Sequence, residues 1–187
     1  GKYILMSGAP TDFNATLFRR GADNILTPAI ERGDIKVVAD QAVIDWQASN
    51  AQKIVENALT LAENDVDAIL APNDGTASGA IAALNAQGLA GKVIVVGHDG
   101  DRSAVQRIVK GTQMMTVLKD TRILARETMI MAQKLARGEA IDTKGVTQYN
   151  EFANIPAVLL SPVGVDKTNL EEVMIDSGYI TREEAYK

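Results

Sequence analysis

Asp12, Asn14, Arg19, Trp46, Asn73, Asp99 and Lys119 are the residues of this chain whose types and positions suit recognition chemistry. They fall in clusters, and each cluster comes just after a short apolar run. Carboxylates and amides accept or donate hydrogen bonds in pairs, whereas guanidinium and ammonium groups only donate. Such a set suits a small, weakly charged or uncharged polar ligand with vicinal hydroxyls, and an indole suits its C–H face. A buried hydroxyl left unpaired costs about 1–3 kcal/mol, so dense pairing is how a site tells one polyhydroxylated molecule from its epimer. Asp12 and Arg19 are seven positions apart, which puts them on one face of a helix, and the arginine is long enough to lean back toward the helix mouth. Each cluster also has a plain structural role open to it. Asp12, Asn73 and Asp74 suit turns and N-caps, and Asp99 and Asp101 suit the cap of a helix starting at Arg102. Trp46 suits the seam between a helix and a sheet, and Arg19 and Lys119 suit solvent.

Other chemistries find less support. The chain has no cysteine, which removes disulfide scaffolds, thiol catalysis and Cys-based zinc sites. His98 is the only histidine, so a His-based metal centre is not expected. Gly75-Thr76-Ala77-Ser78-Gly79 lacks the lysine of a P-loop and the spacing of a dinucleotide fingerprint, and its small residues suit close helix–sheet packing. Asp99-Gly100-Asp101 does not continue into a calcium loop. An acidic pocket of Asp12 with Asp74 or Asp99, as in a receiver domain or a phosphatase, would leave Trp46 and Arg19 without a role. The expectation is a non-catalytic protein with no cofactor. A net charge of −5 without a basic stripe argues against nucleic acid and anionic membrane surfaces as partners. Gly1-Lys2 leads straight into a strand, as in a mature product or a piece of a longer chain, and no apolar run is long enough to span a bilayer.

The elements that must position these side chains repeat one grammar: apolar strand, polar turn, amphipathic helix, glycine. Strands are expected at 3–6, 35–39, 67–71, 93–96 and 115–118. Helices follow each, with stops at Gly33, Gly88, Gly111 and Gly138. Strands two to four are nearly continuous apolar runs, the mark of a sheet covered on both faces. The alternation predicts an α/β fold, a doubly wound and mostly parallel sheet with helices on both faces. Ligands of such sheets bind beyond the carboxyl ends of the strands, where the clusters lie. In the tail, Ile155-Pro156-Ala157-Val158-Leu159-Leu160-Ser161-Pro162 reads as an edge or connecting strand. Asn169 is expected to cap a last short helix, with Gly178 as its stop.

A family resemblance rests on Ser7-Gly8-Ala9-Pro10-Thr11-Asp12-Phe13-Asn14 through Leu17-Phe18-Arg19, Asp40-Gln41 with Trp46, and Asn73-Asp74 with Gly79-Ala80. Asp99, Gly111-Thr112-Gln113, and Met115-Thr116-Val117 with Lys119 extend it. Together they resemble the C-terminal lobe and tail of bacterial periplasmic sugar-binding proteins, nearest to the D-xylose-binding type that feeds an ABC transporter. The similarity covers essentially the whole chain. It implies a type I periplasmic-binding fold, of which residues 1–187 form a single C-terminal sugar-binding lobe, flavodoxin-like by itself. It implies that Asp12, Asn14, Arg19, Asn73, Asp99 and Lys119 hydrogen-bond a monosaccharide, D-xylose or a related pentose or hexose, on which Trp46 stacks.

The function so implied is capture for an ABC transporter permease, in the periplasm or, in a Gram-positive cell, at the surface as a lipoprotein. The alternative is a sugar-sensing domain that presents its ligand to a membrane sensor kinase or forms part of a transcriptional repressor. Residues 113–160 would cross to, and return from, an N-terminal lobe absent from this chain. The apolar side chains of the helix at 122–137 would then need cover. It would come from a partner chain carrying that lobe, from this chain's own sheet, or from a second copy in a homodimer.

Overall fold

Ile4, Leu5 and Met6 are consecutive and all buried, so both faces of the first strand are covered. The computed structural model describes residues 1–150 and 152–187. In chain order it runs β1 (Lys2–Ser7), α1 (Phe13–Glu31), β2 (Lys36–Ala42), a 3₁₀ turn at Ile44–Trp46, α2 (Ala48–Leu61), β3 (Ala68–Leu70) and α3 (Asp74–Ala86). There follow β4 (Ile94–Val96), α4 (Arg102–Lys110), β5 (Met115–Leu118), α5 (Thr121–Ala136), β6 (Thr147–Tyr149), β7 (Asn154–Pro156), β8 (Val163–Asp166), a π-helical turn at Glu171–Asp176 and α6 (Arg182–Ala185). The chain divides into two compact units, Gly1–Leu118 with Gly164–Lys187, and Lys119–Val163.

In the first unit the strand order is β2-β1-β3-β4-β5-β8, and β1 to β5 pair in parallel. The chain steps from β1 to β2, then back past β1 to β3 and onward. The expected doubly wound sheet is therefore present, with its direction of winding reversing between β1 and β3. Ile4, Met6, Val55, Leu59, Ile69, Leu84 and Val95 form one buried cluster with α2 and α3. α2 and α3 approach closely because Gly79 has no side chain: a Cβ there would overlap the carbonyl of Ala48. Gly79 thus serves helix–helix packing, while Ala77 of the same stretch joins the buried cluster that α3 shares with the sheet. Val105 and Ile108 of α4 join Leu118, Val165, Leu170 and Met174 in a second cluster.

The tail departs from its sequence pattern. The edge strand is Val163–Asp166, which buries Val165, while of the apolar run before it only Ile155 and Pro156 are strand, in Asn154–Pro156. Proline has no N–H to give to a ladder, and Pro156 and Pro162 bracket the residues that stay out of the sheet. Asn169 ties the turn after β8 instead of capping a helix, accepting from the Asp166 N–H at 3.0 Å and donating to Gly164 O at 2.8 Å.

The second unit holds α5, capped by the Asp120 side chain, and an antiparallel hairpin of β6 and β7. No residue of α5 is buried. Ile123, Leu124, Met129, Ile130 and Leu135 are all exposed, so the cover expected for this helix is not supplied within its unit.

Candidate functional site

Because β1 to β5 run parallel, their C-terminal ends share one rim of the sheet. Asp12 and Asn14 follow β1, Trp46 follows β2, Asn73 follows β3 and Asp99 follows β4. Along the rim the order is Trp46, then Asp12 with Asn14, then Asn73, then Asp99. Asp12 and Asn73 flank the point where the winding reverses, where open α/β sheets leave a crevice.

The capping roles and the outward-facing roles turn out to be compatible. Asp12 is the N-cap of α1, and its Oδ1 accepts from the Asn14 N–H at 2.8 Å. That leaves its second oxygen for other partners. Asn73 caps α3 in a reciprocal box with Thr76: its Oδ1 accepts from the Thr76 N–H at 2.8 Å and from the Thr76 hydroxyl at 2.8 Å. The box uses only the oxygen, and the Nδ2 amine keeps two N–H donors.

Trp46 sits in the turn after β2, and its six-membered ring fills the space where Gly8 would carry a side chain. Asp45 and Trp46 both take left-handed backbone angles, φ 54° and 57°. Such angles cost non-glycine residues on the order of 1–3 kcal/mol and persist where packing imposes them. The indole seated on Gly8 is part of that packing. Asp99 is also left-handed, at φ 112°, and its N–H donates to Val117 O at 2.8 Å. Beside it the His98 ring meets Phe18 of α1 edge-on, with centroids 4.5 Å apart.

Arg19 does not turn to Asp12 at the helix mouth. Its Nε donates to Asp23 at 2.7 Å and its two Nη groups to the Asp40 carboxylate at 2.5 and 2.7 Å. A bidentate carboxylate matches the guanidinium fork, and Asp40 lies within β2, in register with Leu5 of β1. The pairing raises the pKa of Arg19 and holds the Asp40 carboxyl below its ordinary value, the Arg19 hydrogen bond being the larger cause. Lys119 opens the second unit, where it is exposed.

The residue whose role the sequence did not reveal is Asp74. It reads there as a turn or cap residue, yet it is fully buried and accepts from Gly100, Asp101, Thr116 and Gln113. Burial pushes its carboxyl above the usual range, and hydrogen bonds from Asp101, Thr116 and Gln113 oppose that. Burial likewise lowers the pKa of Arg107, whose Nη2 donates to the Asp74 carbonyl at 2.9 Å. Nothing in one dimension separates this aspartate from a solvated cap, since its donors lie 26 to 42 positions away. Among the described residues no group of carboxylates and histidine is arranged to hold a metal ion, and no helix is long and apolar enough to cross a membrane.

Residues 1–140 match the family profile described as periplasmic binding protein domain. The chain is 48% identical to the D-xylose-binding periplasmic protein of Haemophilus influenzae over its whole length, and 45% identical to that of Escherichia coli over 96% of it. It spans about half the length of these relatives, 56% and 54%. Among solved structures, a carbohydrate transporter solute-binding protein of Chloroflexus aurantiacus in complex with D-glucose superposes with a TM-score of 0.91 at 29% identity, covering 98% of this chain and 61% of that one. An ABC transporter solute-binding protein of Clostridium phytofermentans with bound β-D-glucose gives 0.86 at 32%, covering 100% and 60%. Matched profile, parallel sheet and strand-end rim agree: the chain belongs to the periplasmic binding protein domain family.

Proposed function

We propose that this chain is one jaw of a clamp that captures a monosaccharide without transforming it, D-xylose or a related pentose or hexose, for import by an ABC transporter. The observation that carries the proposal is the rim itself, where two carboxylates, two amides and the only indole of the chain follow neighbouring parallel strands. Asp12, Asn14, Asn73 and Asp99 supply paired hydrogen bonds to hydroxyls, and Trp46 offers its ring to the sugar's C–H face. Arg19 acts from behind this set, with a guanidinium already shared between Asp23 and Asp40. The names of the relatives support a sugar as ligand and the periplasm as its place of capture.

The remaining half of the relatives' length would supply the opposing jaw. One jaw alone binds weakly, because the ligand keeps water on its open side and half of its hydroxyls lack partners. A second role, presenting the bound sugar to a membrane sensor, is supported by one relative in Rhizobium radiobacter, 38% identical, that is named a multiple sugar-binding receptor.

The test is calorimetric titration of the full-length gene product with D-xylose, D-ribose and D-glucose. Asn73→Ala and Asp99→Ala should each weaken the preferred sugar by at least about tenfold, the size of one lost hydrogen bond to a charged or buried group, without unfolding the protein. Unchanged affinity in both variants would overturn the assignment.

A further inference from the structure

We infer that Asp74 is the positioning residue of this site: a buried carboxylate that locks Asp99 and Asn73 at a fixed spacing. The inference rests on the sugar-binding role proposed above. Asp74 directly follows Asn73, and it grips the β4–α4 turn on both sides of Asp99. Its backbone N–H donates to His98 O at 2.8 Å, just before Asp99. Its Oδ2 accepts from the N–H groups of Gly100 at 3.0 Å and Asp101 at 2.9 Å, just after it. The same oxygen accepts from the Thr116 hydroxyl at 2.7 Å, which brings β5 into the network. Asp99 thus holds its left-handed backbone in a turn pinned from before, from after and through its own N–H to Val117 O.

The chemistry requires a carboxylate. All four groups that face the Asp74 side chain are donors, the fourth being Gln113 Nε2 on Oδ1 at 2.8 Å. An asparagine would aim its own N–H at one of them. Gln113 cannot turn over to compensate, because its Nε2 also donates to Met115 O at 3.0 Å and its Oε1 accepts from Arg107 Nε at 2.9 Å. Nor is there space to relax: a Cβ on Gly97 would already overlap Asp74 Oδ1. In a low-dielectric interior a mismatched polar group is costly, and the cheapest relief is for the β4–α4 turn to swing away, carrying Asp99 with it.

A positioning role and a merely structural one differ in a double-mutant cycle read by sugar affinity. In the full-length gene product, Asp74→Asn should weaken D-xylose binding about tenfold, and Asp99→Asn by a similar factor. If Asp74 acts through Asp99, the double variant should be no more than about twofold weaker than Asp99→Asn alone. Wild-type affinity in Asp74→Asn, or losses that multiply in the double variant, would overturn the inference. Should Asp74→Asn fail to fold, Thr116→Val removes, with little change in shape, the hydroxyl that donates to Asp74 and accepts from the Gly100 N–H at 3.1 Å; it should weaken binding about threefold alone and leave Asp99→Asn no weaker. No effect of Thr116→Val would overturn the inference equally. A wild type that takes up none of the sugars tested would instead refute the sugar-binding role, and the inference with it.

Discussion

The six-membered ring of Trp46 occupies the place that a Cβ would take on Gly8. This contact joins the end of β1 to the turn after β2 and holds the only indole of the chain against the rim. Gly8→Ala should displace the ring and cost about 1–3 kcal/mol of stability, the usual penalty of overpacking. The measurement is chemical denaturation followed by tryptophan fluorescence, which here reports Trp46 alone. An unshifted emission maximum together with unchanged stability would count against the contact.

Arg19 and Asp40 give the rim a pH dependence of definite sign. The Asp40 carboxyl is held below its ordinary value of 3.8 by Arg19, so the folded state releases this proton more readily than the unfolded state. The stabilisation is complete above that value and fades as the pH falls through the lower, folded value. The pair is only partly buried, so Asp40→Asn should cost about 0.2–1 kcal/mol at neutral pH. The gap between variant and wild type should close below about pH 4 in denaturation curves. A gap that widened on acidification would contradict the pairing.

Asn73 can be divided into its two roles. The cap uses the side-chain oxygen, and the proposed ligand contact uses the amine. Aspartate caps as well as asparagine, so Asn73→Asp should leave stability within about 0.5 kcal/mol of wild type. It should weaken the sugar by at least about tenfold, since an amine donor becomes an acceptor. Thermal melts and calorimetry on the same preparation decide it.

The exposed side chains of α5 should be insensitive to polarity in this chain. Met129→Gln and Leu135→Gln replace residues that the second unit leaves open, and each should shift stability by no more than about 0.5 kcal/mol. In the full-length gene product the same changes should be costlier if residues beyond this chain cover the helix. Equal effects in both would show that this face stays in water.

The alternation of strand and helix was legible because its signals are local. Apolar runs, turn residues and glycine stops state their own period, and β1 to β5 with their helices lie where those signals put them. Asp12 and Asn73 were recognisable as caps for the same reason. The tail is less legible: Val158, Leu159 and Leu160 look like a strand, while strand pairing depends on donors that the flanking prolines lack. The partner of Arg19 is not legible in the sequence, because helical geometry says which way a side chain leans, not which carboxylate a neighbouring strand will offer it.

By itself, then, the sequence determined a parallel sheet whose strand ends carry polar groups and one indole, since period and turn chemistry are written in neighbouring residues. Only the tertiary structure decided that Asp40 takes the guanidinium, that Gly8 seats the indole, and that Asp74 lies buried among donors. Those outcomes depend on segments far apart in the chain arriving at one place, and burial there sets which partners a charged group must keep.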